Sequence, residues 1–278
     1  MLNGLMGCPE KRGKINALIA KKEALLERLA EKRTALISHA VTKGLNPQAM
    51  MKDSGIEWLG RVPEHWEVKK LKFFVTAYGG GTPNTSKPEY WNGDIPWVSP
   101  KDMKSELIGE TEDYLTELGV LESATRLVPI DSVLIVVRSG ILRHTIPVAR
   151  NSVVVSLNQD MKALIPNKQV EASFLHRLIQ GNQKGLLPLW SKAGCTVESI
   201  EYSYMANTEI GVPPDDEQQA IVEYIDIVLV KLVRQISKAQ QAIEKLKEYR
   251  SALITQAVTG KIDVCNVETD TAEKGKAA

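Results

Sequence analysis

Nine consecutive residues, Gly79-Gly80-Gly81-Thr82-Pro83-Asn84-Thr85-Ser86-Lys87, set glycine-freed main-chain amides beside hydroxyl, carboxamide and ammonium groups. Such a set can contact phosphate oxygens or the edges of bases. A second set suited to phosphate lies further on. Over residues 123–192, Arg126, Arg138, Arg143, Arg150, Lys162, Lys168, Arg177, Lys184 and Lys192 face only Asp131, Asp160 and Glu171, a net of +6. An acidic block precedes it, with Glu106, Glu110, Glu112, Asp113, Glu117 and Glu122 and no basic residue between Lys104 and Arg126. A basic face on a nearly neutral domain can still attract phosphates. The plainer readings stay open beside these: a long turn for the loop, and solvated surface charge for the basic stretch.

Catalytic constellations are missing. No GxxxxGK[ST] makes the triple glycine a nucleoside-triphosphate loop, and no GxGxxG joins a strand to a helix. His39, His65, His144 and His176 form no HExxH or other metal-ligand pair. No Asp/Asn-Pro-Pro-aromatic run of the amino-methyltransferase kind occurs, and Pro214-Asp215 lacks a following (D/E)xK of the nuclease kind. These absences lower the prior for an enzyme, and no cofactor or metal is signalled.

The elements that position the two sets are unequal in kind. The 278 residues are 43% hydrophobic and 25% charged, enough for a core, and the net charge of +1 gives no global sign of nucleic-acid binding. No apolar run approaches the ~20 residues of a membrane span, and no signal peptide is evident. Cys8, Cys195 and Cys265 are single, which suits a reducing, cytoplasmic setting. Of fifteen aromatic residues, thirteen lie between Trp58 and Tyr204, so the ends are built differently from the middle. Trp58, Trp66, Trp91 and Trp97 read as packing residues rather than base-stacking ones.

Both ends read as long helices. From Val222 to Ala257, the positions Leu229, Leu232, Ile236, Ile243, Leu246 and Leu253 belong to a stripe spaced alternately 3 and 4 apart, the coiled-coil pattern. Its 36 residues would span roughly 54 Å, which suits a spacer. Pro213-Pro214-Asp215-Asp216-Glu217 opens this helix and Gly260 marks its stop. Lys14 to Lys43 repeats the pattern through Leu26, Leu29 and Leu36. A shift of 217 residues lays Arg33–Thr42 on Arg250–Thr259 with seven of ten pairs identical, which suggests duplication of a helix-plus-domain unit. Residues 1–44 are thus a partial spacer helix, 45–214 a mixed α+β domain, 215–262 a long spacer helix and 263–278 a disordered tail.

Several blocks resemble one family in order. Met51–Gly60 running into Val62-Pro63-Glu64-His65-Trp66 looks like the start of a target-recognition domain. Gly80-Gly81-Thr82-Pro83 with Tyr90–Trp97 looks like that domain's most recognisable block. Asn158-Gln159-Asp160 with Ala163–Pro166, and Val212-Pro213-Pro214 with Glu217–Val222, are similar to later ones. The chain resembles the DNA-specificity (S) subunit of type I restriction–modification systems.

That resemblance implies α+β target-recognition domains, each reading one half of a split double-stranded DNA target, and long helices forming an antiparallel coiled-coil spacer. It implies no catalytic activity in the S subunit itself. Modification subunits, which carry S-adenosylmethionine, and restriction subunits dock on it. Candidate DNA contacts are Gly81, Thr82, Asn84, Ser86 and Lys87 on the loop, with Arg138, Arg143 and Lys192 from the basic stretch. The sequence departs from the family in holding a single recognition domain, so a homodimer or pairing with another half subunit is expected. Two other readings stand: a coiled-coil protein-interaction module without DNA binding, and a truncated, inactive specificity subunit.

Overall fold

The computed structural model describes residues 9–192 and 197–259. Gly260, the tail 263–278 and the three cysteines lie outside the described residues. In chain order the elements are α1 Pro9–Lys43, β1 Met51–Asp53, β2 Arg61–Pro63, β3 Glu67–Lys70, β4 Val75–Gly79, β5 Trp91–Val98, β6 Leu107–Ile108 and β7 Asp113–Leu115. There follow α2 Glu117–Leu121, β8 Val133–Val136, β9 Val148–Asn151, β10 Ser156–Leu157, β11 Met161–Pro166, α3 Ala172–Gly181, α4 Gln183–Trp190, α5 Tyr202–Asn207, β12 Glu209–Val212 and α6 Asp215–Val258. They form two compact units, one of residues 1–33 with 228–278 and one of residues 34–227.

The larger unit is built on a five-stranded mixed sheet, β4-β11-β8-β9-β6. Strand β8, Val-Leu-Ile-Val, is the centre, and all four side chains are buried. An unbroken apolar run suits a strand covered on both faces. Leu134 and Val136 join Val98, Ile108, Val155, Leu157 and Ala163 in the core cluster, while α3 packs on β8 and β9. A three-stranded sheet, β10-β5-β7, and two small antiparallel pairs complete the unit. Trp66 is buried and packs edge-on against Phe174; Trp97 is buried and meets Trp91 edge-on at 5.2 Å. The run Val153–Leu157 narrows to strand at Ser156–Leu157, with a lone bridge from Val155 to Val128.

The larger unit begins inside α1, at Thr34, rather than after it. Ile37, Ala40 and Val41 are buried there. A Cβ on Gly181 would meet the Ser38 main-chain nitrogen at 2.7 Å, so only glycine lets α3 end this close to α1. Ser38 Oγ also donates to Asn182 Oδ1 at 2.7 Å.

On α3, His176 is 2% exposed and its Nε2 has no hydrogen-bond partner among the described residues. Burial, with Arg177 adding repulsion, pushes its imidazole down to about 4 from 6.5. The unfolded chain therefore takes up a proton below pH 6.5 that the folded one refuses until near 4. The contribution of the neutral ring is whole above 6.5 and is lost as pH falls through that window. Urea denaturation should give a stability about 1 kcal/mol lower at about pH 5.5 than at about pH 7.5. His176→Gln should remove that difference, and an equal difference in the variant would assign it to other groups. The neighbouring Arg177, 12% exposed in its side chain, bridges Glu106 at 2.8 Å and Asp226 at 2.7 Å. Burial raises the Glu106 carboxyl, but Arg177 and Gln180 outweigh it and hold the group below its usual value.

The smaller unit pairs α1 with α6. Ile15 and Ile19 cluster with Ile243, and Leu26, Leu246 and Leu253 pack against them. Arg250 donates to Asn16 at 2.9 Å and Lys247 lies 3.8 Å from Glu23. Low numbers meeting high ones make the pair antiparallel. Leu29, Leu229, Leu232 and Ile243 are buried, while Leu26, Ile236, Leu246 and Leu253 are half-buried. Leu36, also half-buried, belongs to the larger unit.

Candidate nucleic-acid interface

The glycine loop leaves β4 and is fixed from its first residues. Gly81 is buried; its N–H donates to Leu157 O at 2.9 Å and its carbonyl accepts from Trp97 Nε1 at 3.1 Å. Thr82 is exposed, and its hydroxyl hydrogen-bonds Gln159 Oε1. Gln159 Nε2 donates to Asp160 Oδ2 at 3.3 Å, and Asp160 Oδ1 holds Arg138 Nε at 2.7 Å. The chain Thr82–Gln159–Asp160–Arg138 thus ties the loop to the basic stretch through the Asn158–Asp160 turn.

The far half of the loop turns elsewhere. Asn84 Oδ1 accepts from the Ser86 N–H at 2.9 Å, closing a local turn, and Trp91 Nε1 donates to Asn84 O at 3.3 Å. Lys87 Nζ donates to Tyr90 Oη at 2.6 Å and pairs with Glu122 at 3.5 Å. Tyr90 Oη in turn donates to Glu122 Oε2; its bond with Lys87 raises that ammonium, and its bond to Glu122 lowers that carboxyl. The structure therefore brings Gly81 and Thr82 to the Arg138 region and engages Asn84, Ser86 and Lys87 within the loop and with Tyr90 and Glu122.

Arg138, Arg143 and Lys192 are placed on one patch by a small main-chain ladder. Arg138 bridges Ser199, Ser139 N donates to Glu198 O at 3.1 Å, and Lys192 N donates to Ser199 O at 2.9 Å. A cleft of about 670 Å³ opens beside it, lined by Pro100, Arg138, Ser139, Asp160, Val197 and Ser199.

At the three candidate cations the positive charge counted along 123–192 is met by carboxylates. Arg138 pairs with Asp160 at 2.7 Å, Arg143 with Glu198 at 3.2 Å and Lys192 with Glu201 at 3.5 Å. Glu198 and Glu201 lie just past residue 192, where the basic count ends, and the fold folds them back. Two further residues, which the sequence reading places in the Asn158-Gln159-Asp160 block and in the basic stretch but not among the candidate contacts, come into view here. Gln159 is the exposed link between loop and cleft. Lys162, half-buried on β11 and registered opposite Gly79, sits 4.8 Å from the Tyr202 ring centre, and burial lowers its ammonium. Alternation along Met161-Lys162-Ala163, apolar to either side, is the signal that places Lys162 away from the core.

Among the described residues, no group of three or more His, Cys, Asp or Glu side chains is placed to hold a metal, and no helix is long and apolar enough to cross a membrane.

Fold and face together define an α/β recognition module with an ion-paired polar cleft, joined to a unit of paired long helices. The model of the type I restriction modification DNA specificity domain matches residues 63–245, and the chain belongs to that family. It is 37% identical over 231 residues to the specificity subunit of the type I restriction enzyme EcoR124I/EcoR124II of Escherichia coli, covering 79% of this chain and 54% of that one. It is similar in fold to a chain from a solved type I R-M system, with a TM-score of 0.61, 19% identity, and 90% and 60% coverage. The HsdS subunit from Thermoanaerobacter tengcongensis gives a TM-score of 0.52, 21% identity, and 89% and 58% coverage. The chain spans about half the length of the curated relatives it matches.

Proposed function

We propose that the chain is a non-catalytic, sequence-specific DNA-binding module that directs type I modification and restriction subunits to one half of a split target. The observation that carries this reading is the family match over residues 63–245, which spans the whole polar cleft and the glycine loop. Phosphate contacts fix the register on the duplex, and a few side chains read base edges in the major groove. Thr82, Gln159, Arg138, Arg143 and Lys192 are the side chains assigned to this work: hydrogen bonds link the first three through Asp160, and the ladder at Ser199 carries the other two beside them. Methyl transfer and its S-adenosylmethionine belong to the modification subunits in this reading, and cleavage to the restriction subunits.

The helix pair serves as spacer and dock. On its outer surfaces Leu18, Leu25, Val230, Val233, Tyr249 and Ile254 stay exposed, more apolar surface than a solvated two-helix unit needs. A second copy, or another half subunit, supplies the second recognition domain. A two-fold homodimer reads a split palindrome.

Methylome sequencing of cells carrying this chain with a matching modification subunit tests the proposal. The expected result is adenine methylation at a split, symmetric motif. An asymmetric split motif replaces the homodimer with a heterologous second half. Absence of any motif, with the subunits co-purifying, overturns the DNA-directing role.

A further inference from the structure

We propose that Asp160, Glu198 and Glu201 determine specificity by holding Arg138 in the cleft, and Arg143 and Lys192 on the ladder beside it, away from DNA of the wrong sequence. This inference rests on the DNA-reading role above. Its starting point is the arrangement of charge: three cations and three carboxylates, each cation paired, so the patch sums to zero. The carboxylates lie deeper than their partners. Asp160, Glu198 and Glu201 side chains are 22%, 36% and 32% exposed, against 57%, 65% and 56% for Arg138, Arg143 and Lys192. The cations are therefore the outer layer and the acids stand behind them.

Asp160 is also anchored independently of its ion pair. Its N–H donates to Asn158 Oδ1 at 3.0 Å, and its carbonyl accepts from Val137 N and Arg138 N. It cannot follow Arg138 outward.

Sequence-indifferent binding draws on free cations, which release counterions from the phosphates they neutralise. A cation already neutralised within the protein brings little of that gain. To reach a phosphate it must leave its carboxylate, which then faces the DNA with an uncompensated charge. Random duplex offers nothing in exchange. A matching half-site offers oriented base-edge hydrogen bonds, Arg to guanine above all, and these compensate for the broken pair. The acids thus subtract more from wrong sequences than from the right one, and the difference is the specificity. Exposed ion pairs contribute little to folding, so removing the acids leaves stability nearly unchanged.

The experiment neutralises all three in the full chain, as Asp160→Asn, Glu198→Gln and Glu201→Gln. Binding to an alternating dI·dC duplex is followed by fluorescence anisotropy through a salt titration. Each freed cation should tighten binding up to about eightfold at about 0.1 M salt and steepen the logarithmic salt slope by about 0.9. Enrichment of a single motif from a randomised duplex pool should fall. A control chain with Glu110→Gln, Asp113→Asn and Glu117→Gln carries the same change of net charge outside the face and should gain much less. Equal gains in both chains, or unchanged affinity and slope in the first, overturn the inference. If neither the parent nor the triple variant binds any duplex at low salt, the DNA-reading role falls first and takes this inference with it.

Discussion

Replacing Gln218 with Leu lowers the unfolding free energy of the larger unit by about 3 kcal/mol. The residue lies in the first turn of α6 and is fully buried. Its carboxamide is engaged at both ends: Oε1 accepts from the Glu171 N–H at 2.8 Å, and Nε2 donates to Gln169 O at 2.9 Å and Pro213 O at 3.0 Å. Leucine fills nearly the same volume and supplies none of these bonds. One amide hydrogen and two carbonyl oxygens then lose a partner, at roughly 1–3 kcal/mol for each buried group left unsatisfied. Water that enters, or a shift of the helix start, recovers part of this. Urea denaturation reads the loss as a lowered midpoint at unchanged slope. Gln219→Leu, next in sequence but exposed, removes only a surface bond to Glu171 and should stay within about 0.5 kcal/mol of the parent. Leucine and glutamine have nearly equal helix propensity, so comparable losses in the two variants would mean that the buried amide does not set the effect.

The same residue marks where sequence reasoning reaches and where it stops. Proline stop, acidic first turn and heptad spacing place α6, because those signals are local and periodic. The helix stripe is legible for the same reason: Ile15, Ile19, Leu229, Leu232 and Ile243, all on it, are buried. Gln218 carries no such signal. Its partners are Pro213 and a loop nearly fifty residues earlier, and only the fold brings that loop to it. The cleft shows the limit from the other side. Counting charge along 123–192 finds Arg138, Arg143 and Lys192 but misses Glu198 and Glu201, since a count in a window knows nothing of the main-chain ladder that returns them. Within the glycine loop, residue types alone treat Thr82 and Lys87 as equivalent candidates. Packing separates them, by giving Thr82 to Gln159 and Lys87 to Tyr90 and Glu122.

Gly80→Ala should cost about 3 kcal/mol or more, and in the proposed role it should weaken DNA binding even where the variant is fully folded. A Cβ at this position would lie 2.0 Å from Asn158 O and 2.4 Å from Leu157 O. Both are main-chain atoms, one at the end of β10 and one just after it, so no rotamer change relieves the contact and the loop itself must withdraw. Withdrawal strains the adjoining Gly81 N–H bond to Leu157 O and pulls Thr82 from Gln159, the first link of the chain that ends at Arg138. Gly140 is the matched control: a Cβ there meets nothing within 4 Å among the described residues, and Ala should be within about 0.5 kcal/mol of the parent. Thermal and urea unfolding give the stability change, and anisotropy on duplex DNA well below the melting temperature gives the binding change. Full stability loss with intact binding would separate the loop from the reading of DNA and leave Arg138, Arg143 and Lys192 to carry it alone. Loss of both would mean that the triple glycine is there for the close approach of two main chains, and that recognition depends on the approach as much as on any side chain the loop displays.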